Sequence, residues 1–160
     1  MTQTLNPYDK FLAGKPPIDV ISKTPATLQS LVAKADAAKL TRPPAPGMWS
    51  VREILCHLAD CELVFGFRLR QTAAEDDPVI QPFDQDHWAT TYTKQSADEA
   101  LRAFSTFRAW NLAFVRAAGP AALQRKTTHP ERGPMTFQTI LETMGGHDIN
   151  HLGQVEGLLK

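Results

Sequence analysis

Twelve prolines constrain this 160-residue chain more than any other feature of its sequence. Proline lacks the amide hydrogen that an interior helical residue donates, so long helices are expected only where prolines are absent. Long proline-free stretches follow four of the prolines, namely Pro25, Pro46, Pro82 and Pro134. The sequence therefore predicts four helices, at residues 25–40, 51–74, 97–118 and 137–159.

Each predicted helix begins with a residue that can cap it. A Ser followed three residues later by a Glu is a capping box, in which each side chain satisfies a free backbone amide of the other residue. A lone Thr supplies a capping hydroxyl, and a proline is favoured at the first helical position. The Ser–Glu pairs are Ser50–Glu53 and Ser96–Glu99, and the threonines are Thr24, which precedes Pro25, and Thr136.

The apolar residues of these segments recur at helical spacing. In the second helix Val51, Ile54, Leu58, Phe65 and Leu69 share one arc, and the fourth helix has a similar arc. No segment shows the alternation that is typical of a half-buried strand. We therefore predict an all-α protein, a four-helix bundle forming a single domain over residues 1–160. Residues 75–95 form a long connection between the second and third helices.

Charge and composition exclude several classes of partner. The chain has 17 Lys and Arg against 17 Asp and Glu, without a basic stretch, so a nucleic-acid partner is not expected. Residues 1–15 lack the apolar region of a signal peptide, and no apolar run is long enough to span a membrane. Cys56 and Cys61 lie five residues apart, a spacing that does not favour a disulfide within one helix. A cytoplasmic protein with reduced thiols is the expectation.

Three histidines predict a metal site inside the bundle. His147 and His151 lie one helical turn apart on the inner face of the fourth helix, and His57 lies at the edge of the apolar face of the second. Together they would form an open His₃ site for a divalent metal ion, with positions left for water and substrate. The alternative is a set of buried histidines that only bind each other or nearby polar groups. Cys61, one turn after His57, is a candidate fourth ligand, although a free Cys is commonly a small apolar core residue.

Four further polar residues face the predicted core. Arg108 and Asn111 lie on the inner side of the third helix, and a buried charge requires a partner. One interpretation is that they line a substrate pocket together with Arg68, which shares a face with His57. The other is a structural ion pair. Asp148, beside His147, is either a hydrogen-bond partner of the metal ligands or the partner of an arginine.

Two segments carry a family resemblance. Residues 46–60, PGMWSVREILCHLAD, and residues 146–154, GHDINHLGQ, resemble the DinB-like superfamily of metal-binding bundles, and the likeness extends over most of the chain from Asn6. The resemblance implies an up-down-down-up order of the four helices. It also implies that the three histidines that match the family motif, His57, His147 and His151, bind a divalent metal ion, and that the protein is a homodimer.

The resemblance implies two possible enzymatic functions, and a third function of a different class stays open. Some branches of the family transfer low-molecular-weight thiols to an electrophile, and we predict such a thiol S-transferase acting on a small-molecule substrate, with a small thiol as cosubstrate. Other members are described as metal-dependent hydrolases, which is the alternative enzyme. The third is a non-catalytic protein that binds a metal ion or a small molecule. A His₃ site accepts several divalent ions, of which zinc and nickel are favoured.

Overall fold

The computed structural model describes residues 5–160. Helices dominate it, and four of them are long. A short hairpin of two antiparallel strands precedes the last helix, with Lys126 opposite Thr136. The helices are α1 (Asp9–Leu12), α2 (Pro17–Ala33), α3 (Ala37–Thr41), α4 (Val51–Ala74), α5 (Gln85–Ala89), α6 (Ala97–Ala118) and α7 (Phe137–Leu159), and the strands are β1 (Lys126–His129) and β2 (Gly133–Thr136).

The predicted capping residues begin three of the long helices. At Ser50 the capping box is complete, because Ser50 N–H donates to Glu53 Oε2 at 2.9 Å while Glu53 N–H donates to the Ser50 hydroxyl. Ser96 accepts the amide of the residue three positions on, without a return bond, so this cap is simpler than predicted. Thr136 forms a box with Thr139 in place of a Glu or Gln. The bounds of α4, α6 and α7 match the prediction.

The prediction was wrong for the first long helix. It begins at Pro17 rather than Pro25 and ends at Ala33, so Pro25 lies inside it. Thr24 does not cap it; its hydroxyl donates to the carbonyl of Val20. Since Pro25 has no amide hydrogen, the carbonyl of Ile21 loses its helical donor. A side chain of α6 replaces that donor, because Arg108 Nη1 donates to Ile21 O at 2.8 Å.

The strands of the hairpin were not predicted either. Each has only four residues, which is too short for an alternating pattern to stand out, and Gly133 has a positive φ of 87° at the turn. The buried Thr127 bonds to Pro78 O at 2.8 Å, which ties the hairpin to the long connection after α4.

The long helices form a ring in which α2 packs against α6 and α7, and α4 also packs against α6 and α7. Later residues of α4 meet later residues of α6, since Glu62 pairs with Arg108 and Arg70 lies over Phe114. These two helices are therefore parallel. In α4 and α7 the order is reversed, since His57 meets His151 whereas the later Phe65 meets the earlier His147, so these helices are antiparallel. The helices α2 and α6 are antiparallel for the same reason, because Ile21 contacts Arg108 and the later Gln29 contacts the earlier Ser105. The predicted up-down-down-up bundle is confirmed. In residues 5–160, no helix is long and apolar enough to cross a bilayer.

Two apolar clusters fill the bundle, one near each end. In α6 the residues between Phe104 and Leu112 separate the two clusters, and in α7 the residues between Met144 and Val155 do so. Buried polar side chains of α6 and α7 occupy these intervals, and together with two buried polar side chains of α4 we call them the polar layer. Its members are His57, Glu62, Arg108, Asn111, His147, Asp148 and His151.

Candidate metal centre

The polar layer brings together the three histidines that the sequence singled out. His57 from α4 and His147 and His151 from α7 each place one ring nitrogen within 4.8 Å of the other two. All three side chains are buried, at 2%, 3% and 5% exposure. They converge because α4 and α7 are antiparallel neighbours and each presents its histidines on the face that meets the other.

The nitrogen geometry fits a metal ion. His57 Nε2 and His147 Nε2 lie 3.0 Å apart. Two nitrogens bound to zinc at 2.0–2.1 Å in tetrahedral geometry would be about 3.3 Å apart, and a right angle at the metal would bring them to about 2.9 Å. The observed distance lies between these values. Buried imidazoles that point at one another, rather than at separate partners, form the donor set that a divalent ion requires.

The surroundings keep these imidazoles neutral. Burial, with a smaller effect of His151 nearby, lowers the pKa of His57 to about 3. Burial and the two neighbouring histidines hold the pKa of His147 well below its usual value, and burial also lowers that of His151. A neutral imidazole has a free lone pair, which is the form that ligates metals.

Gln154 orients one ligand. Its Oε1 lies 2.8 Å from His151 Nδ1, so Nδ1 carries the hydrogen of that bond and Nε2 is left as the ligating atom. We missed Gln154 in the sequence, although its position three residues after His151 on a helix is the spacing such a partner needs. Two aromatic rings also contact the ligands: Trp49 packs on His57 at 4.9 Å between ring centroids, and Tyr8 on His147 at 5.1 Å.

Cys61 lies against the same cluster. Its Sγ is 3.5 Å from His57 Nε2 and 3.8 Å from His147 Nε2, and its side chain is 5% exposed. Burial, followed by the nearby Asp60 and Glu62 carboxylates, raises the pKa of this thiol. Cys56 is also a buried free thiol, and each cysteine packs in one of the two apolar clusters.

A surface cavity of about 500 Å³ lies next to residues that contact the histidines, although none of the three histidines lines it. Trp49, which packs on His57, and Gln154, which binds His151, both contribute to its wall. The rest of the wall is mainly apolar or glycine, and Asp86 is its one charged residue. The cavity approaches the centre from the end of the bundle where α4 begins and α7 ends.

The comparisons with known proteins agree with this arrangement. The sequence model described as the DinB superfamily matches residues 21–155. The chain belongs to the DinB superfamily. A relative from Oceanobacillus iheyensis is 27% identical over 144 residues, which cover 89% of this chain and 84% of that protein; it is named a "putative metal-dependent hydrolase".

YfiT of Bacillus subtilis, which is also named a putative metal-dependent hydrolase, is 25% identical over 144 residues, covering 88% of this chain and 81% of YfiT. The solved structure of YfiT aligns with a TM-score of 0.81 at 23% identity, covering 89% of this chain and 83% of that one. Its description as a four-helix bundle of unusual topology agrees with the fold found here.

In this DinB superfamily member Arg108 does not face a substrate pocket. Its guanidinium binds both oxygens of Asp148, at 2.6 and 3.0 Å, and lies 2.7 Å from Glu62. The side chain is 1% exposed. The substrate prediction for Arg108 is therefore corrected in favour of the structural ion pair, and Asp148 pairs with an arginine rather than with a metal ligand. Glu62 was missed, although it lies four residues after Leu58 and three before Phe65, within the apolar arc.

Asn111 is also a packing residue. Its amide donates to the backbone and side-chain oxygens of Glu62, at 3.0 and 2.9 Å, and its Oδ1 accepts from Arg70 at 2.7 Å. The substrate prediction for Asn111 is corrected, because all of its polar groups bind the protein and it is 4% exposed.

Arg68 lies outside the wall of the 500 Å³ cavity. Its Nη2 donates to Gln81 O at 2.7 Å, which fixes the connection after α4. It lines a separate cavity of about 10 Å³ with His129 and Arg132, which has room for about one water molecule. A role for Arg68 in substrate binding stays a prediction.

Proposed function

We propose that this protein is a metal-dependent hydrolase that binds a divalent ion through His57, His147 and His151 and acts on a small molecule. The observation that carries the proposal is the convergence of three buried imidazoles next to Trp49 and Gln154, two residues that also line a cavity large enough for a small substrate. The names of the superfamily relatives from Oceanobacillus and Bacillus support hydrolysis as the reaction class.

A divalent ion held by neutral imidazoles lowers the pKa of a water molecule and polarises a carbonyl group, which are the two functions that hydrolysis needs. The protein's own residues position the site. Gln154 fixes the tautomer of His151, and Trp49 shields His57 from bulk water. The apolar wall of the cavity favours an uncharged substrate body, since an ionised group buried there would lack partners; the exposed Asp86 is the one charged residue of the wall.

The test is hydrolysis by metal-loaded protein of a panel of small esters and amides. We expect cleavage that requires the metal and that falls at least about a hundredfold in His57→Ala, since the ion supplies several kcal/mol of transition-state stabilisation. His129→Ala is the matched control, because His129 is equally buried but lies outside the cluster. Metal-loaded protein that cleaves none of the panel would contradict the proposal.

The same preparation tests the other two functions predicted from the sequence. Incubation with a small thiol and a generic electrophile would yield a conjugate if the protein were a thiol S-transferase. Inertness in both assays, with a full metal content, would instead favour a metal-binding protein without catalytic activity. No contact in residues 5–160 favours a thiol cosubstrate, so hydrolysis is the function we propose. Zinc or nickel as the ion, and the homodimer, stay predictions.

A further inference from the structure

We infer that Arg68 and Arg132 form a binding site for a small inorganic anion of the size of chloride, between α4 and the turn of the β1–β2 hairpin. The site is separate from the 500 Å³ cavity, which neither arginine lines. The inference depends neither on the metal ion nor on hydrolysis, so it can fail while the proposed function holds.

The two arginines line the same small cavity. Its volume of about 10 Å³ is close to what a single water molecule needs, so it admits one small ion and excludes larger ones. The rest of its wall consists of apolar side chains, His129 and Thr143, without any carboxylate. An ion in this cavity would therefore meet two guanidinium groups and no acidic group.

Arg68 is buried without an acidic partner. It is 8% exposed, and its side chain makes one hydrogen bond within residues 5–160, from Nη2 to the carbonyl oxygen of Gln81 at 2.7 Å. Its Nε atom is buried and has no hydrogen-bond partner in those residues. Buried charges are normally paired, and a buried donor without an acceptor costs free energy. An anion in the cavity would pair with this charge and offer Nε an acceptor.

Arg132 brings a second positive charge to the same cavity. It belongs to the turn between β1 and β2, is partly exposed, and forms no salt bridge with a carboxylate of residues 5–160. Burial, followed by the charge of Arg132, lowers the pKa of Arg68 to about 10. Like charges held near each other in a partly buried site repel, and an anion between them would remove that repulsion.

The neighbouring titratable groups do not neutralise the two arginines. His129 is uncharged, because burial and the positive charges of Arg132 and Arg68 lower its pKa, and its Nδ1 accepts the amide of Glu131 at 3.2 Å. Glu131 is exposed and forms a salt bridge with neither arginine, and it affects the pKa of Arg68 less than Arg132 does. The charge around the cavity is therefore positive, which favours an anion over water.

A bound anion would join the hairpin to the bundle. Arg68 lies on α4 and Arg132 at the tip of the hairpin, so the ion would link segments that are distant in sequence. Phe65, which also lines the cavity, packs on His147 with 5.8 Å between ring centroids. The anion should stabilise the folded chain, as any ligand does that binds only the folded state.

A chloride titration of the purified chain tests the site. The Tm is measured in sodium chloride and in sodium methanesulfonate at the same ionic strength, because methanesulfonate is too large for the cavity. A tenfold excess of chloride over its dissociation constant should raise the Tm by about 3–6 °C. Arg132→Gln should lose this rise. Arg116→Gln is the matched control and should keep it, since it removes the same charge from the exposed side of α6.

Chlorine-35 NMR gives a second readout that does not depend on unfolding. Exchange of chloride with a protein site broadens the chloride resonance. We expect broadening by the natural protein and by Arg116→Gln, and its loss in Arg132→Gln. Because Arg132→Gln keeps all three histidines, chloride bound at the metal centre would broaden the resonance equally in this variant and in the natural protein. Far-ultraviolet circular dichroism checks that the variants are folded, and the Tm of the natural protein in the two salts decides the question even if one is not.

Three results would overturn the assignment and leave the hydrolase proposal untouched. The first is an equal Tm of the natural protein in chloride and methanesulfonate. The second is equal broadening of the chloride resonance by the natural protein and by folded Arg132→Gln. The third is a Tm that rises in acetate or phosphate but not in chloride, since the site would then take a larger anion than the one assigned.

Discussion

Arg108 illustrates how one residue can satisfy polar groups from three other helices. Its guanidinium binds Asp148 of α7, lies 2.7 Å from Glu62 of α4, and donates to the Ile21 carbonyl that Pro25 leaves without a helical donor in α2. Because Asp148 directly follows His147 in α7, these contacts also fix the turn of α7 that carries this histidine. The ion pair is therefore a support for the metal centre rather than part of a pocket.

Replacing this arginine should mainly reduce stability. In Arg108→Met the Asp148 carboxylate and the Ile21 carbonyl lose their partner and Glu62 keeps only the amide of Asn111, and breaking a buried pair in this way typically costs about 3–5 kcal/mol. Urea denaturation should show this loss in the free energy of unfolding. Arg116→Met, on the exposed side of the same helix, is the control and should change it by less than about 0.5 kcal/mol. A variant as stable as the natural protein but catalytically impaired would restore the substrate interpretation.

The metal ligands give a second prediction that concerns single residues. Protein purified without chelator should contain close to one divalent ion per chain, and His147→Ala should lose most of it, because His147 contacts both other imidazoles. Elemental analysis measures this directly. His129→Ala, which removes a buried histidine from the hairpin, should keep its metal. Full retention of metal by His147→Ala would remove the basis of the proposed centre.

At the level of the helices, the glycines of α7 show where the N-terminal segment approaches. A Cβ atom added at Gly146 would collide with the backbone carbonyl of Tyr8 and lie 2.7 Å from its Cβ. One added at Gly145 would lie 3.3 Å from Pro17 Cα. Adjacent glycines inside a helix are compatible with either a bend or the close approach of another segment. The structure shows a close approach, since α7 runs without a break from Phe137 to Leu159. This contact also brings Tyr8 against His147.

Two alanine substitutions on this helix should therefore have opposite effects. Gly146→Ala should lower the free energy of unfolding by about 1–3 kcal/mol, the usual cost of overpacking. Gly157→Ala should raise it by about 0.5–1 kcal/mol, because a Cβ there meets nothing within 4 Å and alanine favours the helix. Chemical denaturation of the two variants provides the comparison. Equal stabilisation by both would show that Tyr8 moves aside at little cost.

At the scale of the whole molecule, the proposed ion would link helices that are distant in sequence. Its ligands lie on α4 and α7, whereas the apolar clusters on either side of the polar layer involve all four long helices. The bundle should thus fold without metal and be stabilised by it. Any ligand that binds only the folded state contributes stability in this way.

Thermal unfolding should show this linkage. Zinc at a hundredfold excess over its dissociation constant adds about 2.7 kcal/mol, which raises the Tm of a chain of this size by about 5–10 °C. The Tm of His147→Ala should not respond to zinc. If a chelator removed the helical circular dichroism at room temperature, the ion would be a structural requirement, contrary to this expectation.

The sequence by itself determined three of the four long helices and the inward position of two of the three clustered histidines. Local signals suffice there: Ser50, Ser96 and Thr136 satisfy free amides at helix starts, and helical periodicity alone places His147 and His151 on one inward face.

Only the tertiary structure decided the remaining features. Pro25 is accommodated inside α2 because Arg108, 83 positions later in the chain, donates to the carbonyl that the proline leaves free. Whether Arg108 faced a pocket or a carboxylate depended equally on which helices became neighbours. The position of Cys61 beside the histidines also depended on tertiary packing, since the packing of α4 on α7 fixes the distance between the Cys61 sulfur and His147. Local sequence specifies which backbone groups a helix end must satisfy, but the partners of buried charges come from helices that only folding brings together.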